Sequence, residues 1–193
     1  GTRCVAKLLF METKKKSLNI LSDAGILKAT RKDKKNITVN MGKFSNEWDK
    51  IPLQKKMDTF NIPIHINNFT KGVAVNIGNP HVVFFGENIE NVDLSSIGPK
   101  IENHEFFPQK TNVEFVQVVN LNTIKMKVWE RNTGITLACG SGACAAVYAA
   151  MKKNLTKNKV KVMVERGSLE ITIENEEGIM TGPAEISYIG TID

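Results

Sequence analysis

One stretch of the chain, residues 130–146, joins a polar, glycine-rich turn directly to an alanine-rich helical pattern. The predicted helix runs from about Ser141 to Lys153, and its alanines favour both helix formation and tight packing. Cys139 stands at the junction between the turn and the helix. We therefore expect the rest of the chain to be organised around this segment.

Short alternating segments surround the helix and predict a fold of many antiparallel strands with few helices, an α+β class rather than an alternating βαβ fold. A second helix is predicted over residues 1–11, and a third within residues 91–101, where Asp93 or Ser95 would cap it and Gly98-Pro99 would end it. The predicted strands lie at residues 18–21, 25–29, 36–41, 62–67, 72–77, 81–85, 112–119, 123–129, 160–164, 169–174 and 184–189.

Size and composition are those of an ordinary globular protein. The 193 residues, 41% of them hydrophobic, suffice for one sizeable core or two small ones. No apolar run approaches the roughly 18 residues that span a bilayer, and the first residues lack the layout of a signal peptide. Three cysteines without a CxxC pair predict free thiols and a reducing compartment, so we expect a cytoplasmic protein without a membrane partner.

The charge and the histidines argue against two further classes of function. The net charge of +6 comes from short lysine clusters without interleaved aromatic residues, which disfavours nucleic acid and suits an anionic small molecule. His65, His81 and His104 are too scattered along the sequence to indicate a metal cluster, and we predict no metal site.

Cys139 is the first candidate for chemistry. Just before a helix, unpaired backbone N–H groups and the helix dipole stabilise negative charge, so we expect a lowered thiol pKa and a thiolate near neutral pH. Such a group can act as a nucleophile or as a base, and we expect it to be alkylated faster than Cys4 or Cys144. Those two cysteines are interpreted as small, buried apolar residues.

The glycines that follow Cys139 allow two readings. Gly140-Ser141-Gly142 leaves backbone N–H groups free for a carboxylate or phosphate. Residues 140–145 also fit G-x-G-x-x-A, with Glu165 placed where a ribose-binding acid would fall in a dinucleotide site. Against that second reading, the preceding long strand ends near Trp129 and the chain lacks βαβ alternation.

Glu130-Arg131 ends a predicted strand and faces the same turn in sequence. The acidic and basic side chains could hold the ammonium and carboxylate groups of an amino acid, with a bidentate arginine contact. An exposed pair at a strand end explains them equally well.

Together these motifs resemble a known family. The stretch from Glu130-Arg131 through ACGSGACA at 138–145 resembles the second active-site signature of the diaminopimelate epimerases. Three further stretches follow in that family's order: GNPH at 78–81, TNV at 111–113 and MTGPA at 180–184. The resemblance covers essentially the whole chain.

The resemblance implies two pseudo-symmetric domains, each a curled mixed sheet around a central helix. Residues 1–40 would be the remnant of a first domain that is otherwise mostly missing, and residues 41–183 would form the second. Residues 184–193 would be a last strand that returns to the first domain. A short internal echo between GTRCVA at 1–6 and GACAA at 142–146, each opening a helix, fits such a repeat.

The resemblance also implies a reaction, the epimerisation of L,L-diaminopimelate to meso-diaminopimelate without a cofactor, in lysine and peptidoglycan precursor biosynthesis. Inverting an α-carbon needs a base on one face and an acid on the other, and the family uses two cysteines. Cys139 would be one of them. The other is absent, because Cys4 corresponds to Cys144, so the chain by itself is expected to be inactive.

By the same resemblance, the substrate is a small amino acid held by the residues of the four motifs. His81 and Glu130 would adjust the thiol pKa values. A different amino acid substrate and a non-catalytic remnant that binds or forms a homodimer remain alternatives. The substrate-binding residues would be Asn79, Asn112, Glu130, Arg131, Gly140 and Ser141.

Overall fold

A computed structural model describes residues 1–22 and 25–191, and within them the chain forms three α-helices and eleven strands. The helices are α1 (Thr2–Glu12), α2 (Leu94–Glu102) and α3 (Gly140–Lys152). The strands are β1 (Ser17–Ser22), β2 (Gly25–Arg31), β3 (Asn36–Lys43), β4 (Val73–Asn76), β5 (Pro80–Phe85), β6 (Asn112–Asn120), β7 (Thr123–Glu130), β8 (Gly134–Thr136), β9 (Lys159–Val164), β10 (Gly167–Glu174) and β11 (Glu177–Pro183).

All of these strands join one mixed sheet in the order β1-β2-β3-β11-β10-β9-β7-β6-β5-β4, and β8 pairs with β7 off this path. Only the β5–β6 and β7–β9 pairs are parallel among the described strands. The predicted α+β class is confirmed.

The sheet curls around α3, which contacts strands β4 to β7 and β9 to β11. Every residue from 142 to 150 in this helix is buried. A helix that is apolar on all sides has to be enclosed, and its small alanine side chains let the strands approach closely. The expected curled mixed sheet around a central helix is confirmed.

A second core covers the opposite face of β4 to β7. Ile97 and Ile101 of α2 are buried there with Phe84 and Phe115 of the sheet. In β6, Phe115 faces this second core while Val116 faces α3, because successive side chains of a strand point to opposite faces. β6 is therefore buried on both sides.

α1 was predicted over residues 1–11 and forms as Thr2–Glu12. It packs against β1, β2 and β3 and buries Ala6 and Phe10.

Two predicted features in the middle of the chain differ from the structure. Residues 62–67 form only isolated bridges, because Pro63 lacks the N–H that a ladder needs. α2 begins where Asp93 caps it, but it continues through Gly98 and Pro99 to Glu102. Burial of Ile97 and Ile101 on one helix face outweighs the helix-breaking tendency of that pair.

The last strand lies earlier than predicted. Residues 177–183 pair with β10 on one side and β3 on the other, whereas residues 184–191 form no strand. An extended segment needs a hydrogen-bonded neighbour to be a strand, and none of the described strands extends beside them. β3 spans the predicted domain boundary at residue 40 and pairs with β11 in one continuous sheet. The division into two domains stays a prediction.

In the part of the chain described here, no helix combines the length and the hydrophobicity needed to cross a membrane.

Candidate active site

The sheet topology brings three strand ends to one edge. β5 and β6 run parallel, and their first residues lie side by side with His81 opposite Asn112. β7 runs antiparallel to β6, so its last residue, Glu130, lies at the same edge. The motifs at residues 78–81, 111–113 and 130–131 therefore meet, although up to about fifty residues separate them in sequence.

The N-terminus of α3 faces this edge, with Cys139 as its N-cap residue. The buried Sγ of Cys139 accepts a hydrogen bond from the Gly142 N–H at 3.4 Å and lies 3.5 Å from Ser141 Oγ. The thiol thus takes the place of the side-chain oxygen that usually caps a helix. Both neighbours can donate to a thiolate.

The electrostatics of Cys139 differ from the expectation. Burial raises the pKa of the Cys139 thiol to about 12, and the nearby Glu114 carboxylate adds to the rise. The hydrogen bonds from Ser141 and Gly142 lower the pKa but do not outweigh these two effects. The predicted lowered pKa, and with it a thiolate near neutral pH, is wrong for the free site.

The other two cysteines differ from each other. Cys144 is fully buried inside α3, and burial raises the pKa of its thiol, as suits a small core residue. Cys4 is exposed on α1, so its predicted burial is wrong.

A chain of polar contacts runs from Cys139 into the protein. The Asn79 Nδ2 amide donates to Ser141 Oγ at 3.5 Å, and its Oδ1 lies 2.9 Å from His81 Nε2. The other ring nitrogen, His81 Nδ1, lies 2.7 Å from Glu114 Oε1. The structure therefore links the predicted residues Asn79, His81, Ser141 and Cys139 through hydrogen bonds.

Glu114 is the residue that sequence reasoning missed. Its side chain on β6 is fully buried, and its Oε2 has no hydrogen-bond partner among residues 1–22 and 25–191. Burial raises the pKa of this carboxyl, and the charge of His81 opposes the rise. A single acidic residue inside the apolar run NVEFVQVV was the signal that could have drawn attention to it.

Asn112 braces the strand ends. Its Nδ2 donates to the Pro80 carbonyl at 2.8 Å, and its Oδ1 accepts from the Arg131 N–H at 2.9 Å. These contacts hold β5 and the end of β7 in fixed relation. Its predicted substrate contact stays a prediction.

Glu130 and Arg131 form no ion pair with each other within the described structure. Glu130 Oε1 accepts from Thr136 Oγ1 at 2.5 Å, and Arg131 Nη1 donates to the Gln109 carbonyl at 3.4 Å. The two side chains therefore have different protein partners. Glu130 is the one whose charge acts on both Cys139 and Glu114.

The N-termini of α1 and α3 meet at Met180. Arg3 Nη1 lies 3.0 Å from Met180 Sδ, and a Cβ added to Gly140 would lie 3.0 Å from the same sulfur. Two helix N-termini direct positive potential into this region, which favours a bound carboxylate.

The dinucleotide reading fails at the connection into α3. β7 and β9 are parallel neighbours joined through α3, but residues 131–139, which include the antiparallel strand β8, separate β7 from the helix. A dinucleotide site of that kind requires a tight turn from the strand directly into the helix. GSGACA is here the start of a central helix.

Comparison with known proteins identifies the family of this chain. Residues 73–187 match the family model described as diaminopimelate epimerase. The diaminopimelate epimerase of Pelagibacter ubique (strain HTCC1062) is 45% identical over 189 residues, 95% of this chain and 69% of that protein. The chain belongs to the diaminopimelate epimerase family. A second member, from Wolbachia sp. subsp. Drosophila simulans (strain wRi), is 44% identical, covering 94% of this chain and 70% of that protein.

Solved structures support the family's fold. A phenazine biosynthesis protein of the PhzF family from Enterococcus faecalis superposes with a TM-score of 0.67 at 13% identity, covering 96% of this chain and 69% of that one. A hydroxyproline epimerase from Agrobacterium vitis gives 0.66 at 12% identity, covering 94% and 62%. At such identities the likeness concerns the fold.

Proposed function

We propose that this chain contributes one half of the active site of a diaminopimelate epimerase, with Cys139 as the acid or base at the α-carbon. Family membership supports the reaction, the conversion of L,L-diaminopimelate to the meso form. The observation that carries the role of Cys139 is its position as the N-cap of α3, between the Ser141 hydroxyl and the Gly142 N–H.

The helix terminus suits the substrate's carboxylate. Removal of an α-proton moves negative charge onto that carboxylate, and backbone N–H groups at Gly140 and Ser141 are preorganised to receive it. Such donors contribute about 3–4 kcal/mol each to barrier lowering in comparable oxyanion sites. The proposed ligands of the amino group are Asn79, whose side chain contacts Ser141, and Glu130, whose charge acts on Cys139.

The distal end of diaminopimelate carries a second amino acid group. Arg131 stands at the same sheet edge, and its guanidinium can bind a carboxylate in a bidentate manner. Asn112 keeps the Arg131 backbone in place through its side-chain oxygen.

Inversion needs a second acid or base on the opposite face of the α-carbon. Cys144 shares the helix of Cys139 and is fully buried, and Cys4 is exposed on α1. Neither is suited to that role. The second group is therefore expected from a segment that this chain does not contain, and the chain by itself is expected not to epimerise.

The test compares this chain with a form extended at its N-terminus to the length of the relatives. Each is incubated with L,L-diaminopimelate in D₂O, and the α-proton signal and the meso product are followed by NMR and chiral chromatography. We expect deuterium incorporation and meso product from the extended form only. Equal turnover by both would refute the half-site, and inactivity of both towards diaminopimelate would refute the substrate.

A further inference from the structure

The candidate site contains a buried ionisable pair, Glu114 and His81, to which the proposed reaction assigns no role. Glu114 and His81 both have fully buried side chains, and their closest atoms are 2.7 Å apart. Burying charged groups in this way is costly unless they are paired and fully hydrogen-bonded. Glu114 Oε2 has no partner in the described part of the chain, so this pair is incompletely satisfied.

The hydrogen-bond geometry fixes one proton and leaves another to be shared. Asn79 Oδ1 can only accept, so His81 Nε2 carries a proton directed at it. A second proton lies between His81 Nδ1 and Glu114 Oε1. On Nδ1 it makes an imidazolium and a carboxylate, and on Oε1 it makes two neutral groups.

Gly142 places this pair against the catalytic thiol. A Cβ on Gly142 would lie 2.6 Å from Glu114 Oε1 and 3.3 Å from Cys139 Cβ, so the carboxyl and the cysteine flank the same point of α3. Glu114 Oε1 therefore lies no more than about 6 Å from Cys139 Cβ, close enough for the charge of one group to shift the pKa of the other.

We propose that Glu114 is a positioning residue that governs when the Cys139 thiol can release its proton. With the shared proton on His81 Nδ1, the Glu114 carboxylate disfavours a second negative charge on Cys139. When that proton moves to Glu114 Oε1, the N–H bond breaks, an O–H bond forms, and the net charge of the pair is unchanged. The negative charge beside Cys139 is then gone, while burial of the thiol remains, so the thiol loses its proton to a base or to solvent more readily than before.

The other charged groups near the Cys139 thiol do not affect its ionisation in the way that Glu114 does. Glu130 on β7 acts on both Cys139 and Glu114 and opposes the ionisation of each. Arg3 on α1 acts on Cys144 rather than on Cys139. Glu114 is the carboxylate with the larger effect on Cys139, and His81 is its partner.

The experiment measures thiol reactivity without substrate. The unmodified chain and its Glu114→Gln variant are treated with iodoacetamide at about pH 8, and labelling of each cysteine is followed by peptide mass spectrometry. Because only the thiolate reacts, a lowered Cys139 pKa should make labelling faster by about three- to tenfold. We expect this increase at Cys139. In both proteins the exposed Cys4 should be labelled first and Cys144 last, which reverses the order of Cys139 and Cys4 expected from the sequence.

Two controls separate electrostatics from loosening of the fold. Cys144 lies on the same helix, so a merely loosened helix would raise both rates together. Glu102→Gln removes a different buried carboxylate and should leave Cys139 labelling unchanged. An unchanged Cys139 rate in Glu114→Gln, or a parallel rise at Cys144, would overturn the proposal.

A second measurement needs no substitution and serves if Glu114→Gln does not fold. In the chain labelled with ¹⁵N-histidine, His81 Nε2 should stay protonated, and Nδ1 should give a shift between those of a protonated and a bare ring nitrogen. A Nδ1 shift at either extreme would count against a shared proton. The inference rests on the proposed role of Cys139, but neither measurement requires diaminopimelate turnover, so the two proposals can fail separately.

Discussion

Two buried carboxylates near the same sheet edge, Glu102 and Glu114, differ in how completely their oxygens are hydrogen-bonded. In the α2 cluster (Gly98, Glu102, Trp129 and Asn132), Glu102 Oε2 accepts from Trp129 Nε1 at 2.6 Å and Oε1 accepts from the Asn132 N–H at 2.8 Å. In the α3 cluster (His81, Glu114, Cys139 and Gly142), Glu114 has one partner and one oxygen without any among the residues described.

The two clusters otherwise use similar parts. In each cluster a helix glycine packs closely against a side chain of that cluster: Gly98 against the Trp129 ring and Gly142 against the Glu114 carboxyl. A buried carboxylate with both oxygens satisfied is a stable structural element, whereas a buried carboxyl with an unsatisfied oxygen requires a further explanation, such as a role in chemistry. We therefore interpret the α2 cluster as structural and propose the α3 cluster as the place of the chemistry.

The largest expected effect is on the rate of α-proton exchange, which should depend on the α3 cluster and not on the α2 cluster. Cys139→Ala in the N-terminally extended form should slow α-proton exchange by about 10²–10⁴-fold, the contribution of a general acid or base, with only the small fall in melting temperature that a lost helix cap causes. Trp129→Phe should leave exchange unchanged and cost about 1–3 kcal/mol of stability, because Glu102 loses a buried donor. Exchange at the parent rate in Cys139→Ala would remove the chemical role from the α3 cluster.

The helix glycines provide the next comparison. Gly98→Ala would place a Cβ 2.4 Å from the Trp129 ring, and Gly142→Ala would place one 2.6 Å from Glu114 Oε1. Such overpacking costs about 1–3 kcal/mol, so both variants should lower the free energy of unfolding. Only Gly142→Ala should also change the rate of Cys139 alkylation.

Gly140→Ala is the matched control for that pair. Its Cβ would meet only the flexible end of Met180, at 3.0 Å, and alanine favours a helix over glycine by up to about 1 kcal/mol. Thermal unfolding should therefore show little loss. A Gly142→Ala protein as stable as Gly140→Ala would mean that the Glu114 carboxyl can move away from Gly142 and is not tightly placed beside it.

The α2 and α3 clusters also show what the sequence could predict. Alternation identified most strands, and the alanine run identified α3, because both signals are local. At residues 62–67 a local breaker, Pro63, interrupted the predicted strand, whereas at Gly98-Pro99 burial of the helix face overrode a breaker signal. Residues 184–189 carried a strand pattern, but strand pairing is decided by neighbours distant in sequence.

For the site, motifs identified residues but not their environment. Cys139, His81 and Asn79 were found because glycine turns and the family resemblance mark them. The pKa of Cys139 was predicted in the wrong direction because a helix terminus can be read from sequence, whereas burial and the distance to Glu114 cannot. Glu114 lies just outside the TNV motif at residues 111–113, two residues after Asn112.

A smaller effect tests the carboxylates directly. Glu102→Gln would leave either Trp129 Nε1 or the Asn132 N–H facing an amide NH₂, and a lost buried hydrogen bond costs about 1–3 kcal/mol. Glu114→Gln replaces an oxygen that has no described partner, so its stability should change less. Urea unfolding of both variants near pH 7 makes the comparison. Equal losses would show that Glu114 is as structural as Glu102.

The smallest effect concerns pH, where Glu114 and Asp93, the N-cap of α2, should behave oppositely. Burial raises the pKa of Glu114, so its contribution to stability is complete below its unfolded pKa of about 4.3 and is lost as pH rises through the folded value. Hydrogen bonds from Ser95 and Ser96 lower the pKa of Asp93, so its contribution is present above about 3.9 and is lost as pH falls through the folded value.

Urea unfolding at about pH 3, 5 and 7 tests both signs. The stability of the unmodified protein relative to Glu114→Gln should fall between pH 5 and 7. Its stability relative to Asp93→Asn, which keeps the capping oxygen, should fall between pH 5 and 3. If stability relative to Glu114→Gln instead rose with pH, the Glu114 carboxylate would be stabilised in the folded protein by more than His81. The α3 cluster would then hold a fixed ion pair like the satisfied carboxylate of the α2 cluster, rather than a proton able to move.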